Sequence, residues 1–212
     1  MYNFLSFKSA PKNNPLAPEW HYVFVEQDTH NINIKSLIDF LLKKEKDILK
    51  LESVNDGFTG LGTKSLTSKH SSYNLFNFKN KEITKLKNNI IKLHKTFLDH
   101  HALPIPQHLF IKGWYNILQK GEQIKPHLHD ITPDSYLGGN FSVQAKDTST
   151  YYVCPANQIN EPEVYKSLNT PGKLTLFQNC IPHYTDQNKS NIKRITIAFD
   201  LSLVRKDFFH VF

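Results

Sequence analysis

The chain has 212 residues, 39% of them hydrophobic and 21% charged, enough apolar material for one sizeable core in a single domain. No apolar run reaches the length that crosses a bilayer, and the opening MYNFLSFKSAPKNN lacks the apolar centre of a secretory signal, so the expectation is a cytoplasmic protein without a membrane partner. The net charge of +7 comes from lysine-rich stretches at 43–50 and 79–95. It leaves a nucleic-acid or other anionic partner open, with a solvated helix face as the simpler account.

Residues 1–20, rich in Pro and Asn, are expected to form an irregular arm, followed by a short strand at HYVFV (21–25). From Asn33 to about Leu51, Ile34, Leu37, Ile38, Leu41, Ile48 and Leu49 recur at helical spacing. The stretch 55–76 carries glycines and many hydroxyls and reads as a loop. A second helix is predicted from about Asn80 to His100, with Ile83, Leu86, Ile90, Leu93 and Phe97 on one face. Beyond His101 the period changes: HLFIKGWYNIL, SYLGGNFSVQA, STYYVCP, GKLTLFQ and RITIAFDLSLV are short β-branched and aromatic runs set apart by Gly, Pro, Asp and Asn. No helical pattern intervenes, which argues against β-α-β winding. The expected architecture is α+β, with an N-terminal arm and helices over 1–100 and a jelly roll or barrel over 101–205 in one domain spanning 1–212. Cys154 and Cys180 make no disulfide framework and are expected to be small buried hydrophobes in a reducing setting.

Three features of the β half bear on chemistry. In KPHLHD, His127 and His129 share a face if the chain is extended there, because successive side chains alternate. His183 follows the GKLTLFQ run, in LFQNCIPHYTD. In RITIAFDLSL, Ile195, Ile197, Phe199 and Leu201 form an apolar face, while Arg194, Thr196, Ala198 and Asp200 form the other. Neutral imidazoles suit a transition metal, and arginine's planar fork matches a carboxylate. Together, metal ligands and Arg-x-Thr are what a 2-oxo acid cosubstrate requires.

The segments GWYNILQKGEQIKPHLHDITPDSYLGGNFSV, TPGKLTLFQNCIPHYT and KRITIAFDLSL, with the loop DGFTGLGTKSLTS, together resemble the 2-oxoglutarate- and iron(II)-dependent oxygenases over roughly residues 55–203. The likeness is to a branch of marine bacteria and phages that is related to prolyl hydroxylases and carries H-x-H. It rests on Trp114 and Asn116, His127 and His129, Leu137-Gly138-Gly139, Gly172 to Phe177, His183, and Arg194 with Thr196. The resemblance implies a double-stranded β-helix holding iron(II) on His127 and His183. Arg194, helped by Thr196, would hold the distal carboxylate of 2-oxoglutarate, with Asn116 near the cosubstrate. It also implies that O2 is consumed, succinate and CO2 are released, and a C–H bond is hydroxylated.

The departure is at position 129, where relatives often carry a carboxylate. His129 is the favoured third ligand, since i and i+2 share a face; Asp130, Asp134, or an open position as in halogenating relatives are the alternatives. Tyr136 and Tyr152 are candidates to reach cosubstrate oxygens. The substrate is left open between a peptide or protein residue, a nucleobase and a small metabolite, with 55–76 and 156–170 as candidate lids. Two rival classes stand beside this one. A cupin-like metal protein without 2-oxoglutarate is suggested by Gly121, His127-x-His129 and Asp134, although Pro182 adjoins His183 where that pattern wants glycine. The other is a basic nucleic-acid-binding protein.

Overall fold

The computed structural model describes residues 1–9, 16, 19–129, 132, 134–154, 163–205 and 210–211. The two predicted helices form as α1 (Ile34–Ile48) and α2 (Lys81–His100). Asparagine opens each one: the Asn33 side chain accepts from the Ser36 N–H, and that of Asn80 accepts from the Glu82 and Ile83 N–H groups. Buried Glu82 then accepts from the backbone N–H of Asn33 at 2.8 Å, which ties the start of α1 to the start of α2. Leu37, Leu41, Ile83, Leu86, Ile90 and Leu93 are buried, so the periodic face of each helix is its core face.

The described strands are β1 (Tyr2–Lys8), β2 (His21–Asp28), β3 (Phe110–Leu118), β4 (Leu137–Gln144), β5 (Ser149–Cys154), β6 (Glu163–Leu168), β7 (Lys173–Gln178), β8 (His183–Thr185), β9 (Arg194–Ser202) and β10 (His210–Val211). They form a seven-stranded sheet in the order β1-β2-β7-β4-β9-β3-β10 and a three-stranded sheet in the order β6-β5-β8, with antiparallel pairing throughout. All five of the β runs predicted after His101 are strands.

The arm is a correction. Residues 2–8 were expected to be irregular but pair along β2, from Tyr2↔Gln27 to Lys8↔His21. The ladder to β2 pairs the backbone groups on the inner side of this edge strand, a partnership that local composition does not signal. Because β2 lies between β1 and β7, the N-terminal part supplies two strands to the large sheet. Within the candidate lid 156–170, residues 163–168 form β6, paired with β5 from Ser149↔Leu168 to Cys154↔Glu163, and 155–162 lie outside the described residues. Of the cysteines, Cys154 is buried as expected, but Cys180 is exposed, in the turn that follows β7.

The large sheet uses its two faces differently. Ile195, Ile197, Phe199 and Leu201 of β9 join the core with Val23, Val25 and the helices. The opposite face meets the small sheet through a second cluster, in which the Phe24 ring lies edge-on to Tyr152 with centroids 5.1 Å apart. Gly139 of β4 is forced: a Cβ there would sit 2.2 Å from Phe199 Cζ and 2.3 Å from the Thr175 carbonyl oxygen. Among the described residues no helix is long and apolar enough to cross a membrane.

Candidate metal centre

The segment 124–127 runs antiparallel to β8. The Thr185 N–H donates to the Ile124 carbonyl at 3.0 Å, and His127 and His183 exchange both backbone hydrogen bonds at 3.1 and 3.0 Å. On its other side β8 pairs with β5, where Tyr152 lies opposite His183. His127 makes an isolated bridge rather than opening a regular strand, and the His127 and His129 imidazoles converge on one side, as expected for positions i and i+2. Each is also aimed individually.

Each aiming device is visible. His127 Nδ1 lies 2.9 Å from the Lys125 carbonyl, and His183 Nδ1 lies 3.0 Å from the Ile181 carbonyl. His129 Nδ1 lies 2.7 Å from Asp200 Oδ1. All three partners accept, so each Nδ1 carries a proton, and in the neutral ring Nε2 is then the nitrogen with the free lone pair. The ligand atoms of the three histidines all fall within 4.8 Å of one another, and His129 Nε2 stands 3.2 Å from His183 Nε2. Two ring nitrogens facing each other at that distance either share a proton or hold a metal ion between them. Nitrogens bound to one metal at ~2.0–2.1 Å and at right angles lie about 3.0 Å apart, which the observed separation fits.

Electrostatics favour the same state. Burial, reinforced by the neighbouring His129, pulls His127 down to about 4. Burial, together with His127 and His129, holds His183 well below its usual range. Both imidazoles are therefore neutral at neutral pH, the form in which they could bind a metal. Among the described residues these three histidines are the group that could hold a metal ion. Asp134 is exposed and does not line the cavity, and Asp130 lies outside the described residues.

The histidines open into a cavity of about 360 Å³, whose wall includes Asn116, Asn140, Thr150, Arg194 and Thr196. Arg194 is 2% exposed. One guanidinium nitrogen, Nη2, donates to Thr150 Oγ1 at 3.2 Å, while Nε and Nη1 are buried without an acceptor among the described residues. Burial pulls this guanidinium down to about 10. It stays charged, and two unsatisfied donors in such a place call for an anion with two oxygens.

The other candidates divide. Asn116 stands opposite Thr196 in the β3–β9 register, and its Oδ1 accepts from the Thr67 hydroxyl. That bond fastens the loop 55–76 to the cavity wall, where Gly57, Thr59, Thr67 and His70 all line the space. The Tyr136 hydroxyl is engaged by His94 Nε2 at 2.8 Å, and that of Tyr152 accepts from Asn140 Nδ2 at 2.6 Å. Neither tyrosine lines the cavity. Trp114 does, with its ring 5.3 Å from that of His129. Asp200 lies on the Arg194 face of β9, and sequence reasoning assigns it no role. Only its place on that face could have drawn attention to it.

No family model matches the chain, and no curated protein matches it by sequence. Solved structures do match in fold. A Pseudomonas putida prolyl-4-hydroxylase superposes with a TM-score of 0.57 at 8% identity, over 84% of this chain and 91% of that one. A prolyl hydroxylase from Trichoplax adhaerens, in complex with a hypoxia inducible factor oxygen degradation domain peptide fragment, gives 0.59 at 10% identity, over 84% and 83%. The epimerase SnoN, in complex with Fe3+, alpha ketoglutarate and nogalamycin RO, gives 0.56 at 9% identity, over 89% and 93%. The structural neighbours are thus 2-oxoglutarate-Fe(II) oxygenases, prolyl hydroxylases among them. At these identities the likeness is one of fold, and one fold hosts many chemistries.

Proposed function

We propose that the protein is an iron(II)- and 2-oxoglutarate-dependent oxygenase that hydroxylates an unactivated C–H bond with release of succinate and CO2. We read its two sheets as a double-stranded β-helix, the jelly roll of the structural neighbours. The observation that carries the proposal is Arg194. Its buried guanidinium keeps two donors unpaired in the same cavity onto which three imidazole lone pairs converge.

Iron(II) with 2-oxoglutarate and O2, when bound, supplies the oxidising chemistry. The chain's own residues do the rest. His127, His129 and His183 hold the metal through Nε2, each oriented by the partner of its Nδ1. Arg194, oriented by Thr150 and assisted by Thr196, holds the distal carboxylate of the cosubstrate, with Asn116 beside it. The loop 55–76, fastened through Thr67 to Asn116 and through the Thr59 carbonyl to the Lys125 N–H, walls the cavity and limits water. The oxidised substrate is a peptide or protein residue or a small molecule that enters past this loop.

The test is an anaerobic titration with iron(II) and then 2-oxoglutarate, followed by visible absorption, with Arg194→Ala as the control. A charge-transfer band that needs both additions and is lost in the variant supports the proposal. Metal binding with no effect of 2-oxoglutarate would overturn it in favour of a metal protein of another chemistry. Failure to bind metal would sink it altogether.

A further inference from the structure

Two of the three histidines lean on neutral backbone carbonyls, and the third leans on a carboxylate. His129 Nδ1 is 2.7 Å from Asp200 Oδ1, with the two side chains 4% and 16% exposed. A non-haem iron site of the common type takes two imidazoles and one carboxylate, whose negative charge offsets part of the metal's. Three neutral imidazoles would leave that charge unmet. We infer that Asp200 supplies it from one bond further out, as a positioning residue that orients His129 and strengthens it as a donor. The inference rests on the metal-centre reading above.

The surrounding backbone is shaped for this contact. Asp200 stands opposite Gly138 in the β4–β9 register. A Cβ on Gly138 would lie 2.9 Å from His129 Nδ1, 3.1 Å from Asp200 Oδ1 and 2.1 Å from Asn179 Oδ1. Glycine at this position leaves the space in which imidazole and carboxylate meet. Elsewhere on the same face of β9, Arg194 and Thr196 face the cosubstrate side of the cavity. One strand therefore carries the cosubstrate anchor at its start and the support of a metal ligand near its end. Carboxylates placed behind a metal-bound histidine fix its tautomer and orientation, and their loss costs ~10–100-fold in metal affinity.

The experiment is a double-mutant cycle read by metal binding, independent of turnover. Cobalt(II) is titrated anaerobically into wild type, Asp200→Asn, Asp200→Glu, His129→Asp and the His129→Asp/Asp200→Asn pair, following heat and the visible ligand-field bands. Asp200→Asn is expected to weaken cobalt binding ~10–100-fold and shift the bands. Asp200→Glu should recover part of both. In the His129→Asp background the carboxylate is already on the metal, so Asp200→Asn should cost nothing there or tighten binding by removing a like charge. An equal loss in both backgrounds would show a purely structural role and overturn the inference. So would an Asp200→Asn protein with wild-type affinity and bands. A wild type that binds no cobalt would overturn the metal-centre reading itself, a result distinguishable from either.

Discussion

His127 and His183 exchange backbone hydrogen bonds in both directions, at 3.1 and 3.0 Å, and their rings stand 4.4 Å apart. Main-chain pairing thus brings the two imidazoles together without the help of a metal. This pre-organisation lowers the ordering cost of binding.

It follows that His183→Ala should keep its fold, because the bridge is made by backbone atoms. Iron(II) or cobalt(II) affinity should nevertheless fall by more than about 100-fold, since losing an outer partner alone costs ~10–100-fold. Calorimetric metal titration alongside near-UV circular dichroism checks both halves. A variant with wild-type affinity would remove His183 from the site.

Arg194 is a buried cation with two unsatisfied donors, an arrangement that destabilises the unliganded protein. Arg194→Met should therefore raise the melting temperature of the ligand-free protein, by an amount corresponding to roughly 1–3 kcal/mol. It should also abolish the stabilisation that 2-oxoglutarate gives the metal-loaded wild type. Thermal unfolding with and without 2-oxoglutarate measures this. A lower melting temperature in the ligand-free variant would show that the protein itself satisfies the guanidinium.

His94 is pulled by burial from 6.5 down to about 4. Between those values the unfolded chain binds a proton that the folded protein refuses, so stability is full above about pH 6.5 and falls as pH drops toward 4. In His94→Gln this slope should be shallower by about one proton. Urea unfolding of the metal-free protein at several pH values gives the slope. An unchanged slope would mean that His94 titrates normally.

Asn116→Ala removes the acceptor of the Thr67 hydroxyl and should loosen the loop that walls the cavity. The expected cost is about 1–2 kcal/mol. Backbone hydrogen exchange should rise at 59–72 while α2 stays protected. Equal protection across the loop would show that other contacts hold it.

Gly139→Ala should be among the most damaging single changes to the fold, because its Cβ would meet a backbone carbonyl oxygen at 2.3 Å. Overpacking of this kind costs ~1–3 kcal/mol or more. A melting temperature within a degree of wild type would mean that β4 and β7 can part without cost.

Local pattern alone determined a good deal. Both helices are readable because a 3.6-residue period must bury one face, and β9 because a period of two separates Ile195, Ile197, Phe199 and Leu201 from Arg194, Thr196 and Asp200. The histidines of KPHLHD, the distal His183 and Arg194 could be singled out by residue type and order, since few side chains bind a metal or a dicarboxylate. Tertiary structure decided what depends on partners far away in the chain. β1 is a strand because β2 pairs with it, and β6 because β5 does. Asp200 reaches His129 because Gly138 leaves the space, and Arg194 keeps two donors that no described residue accepts. Periodicity records which way a side chain faces. What it meets there is settled only when strands distant in sequence are laid side by side.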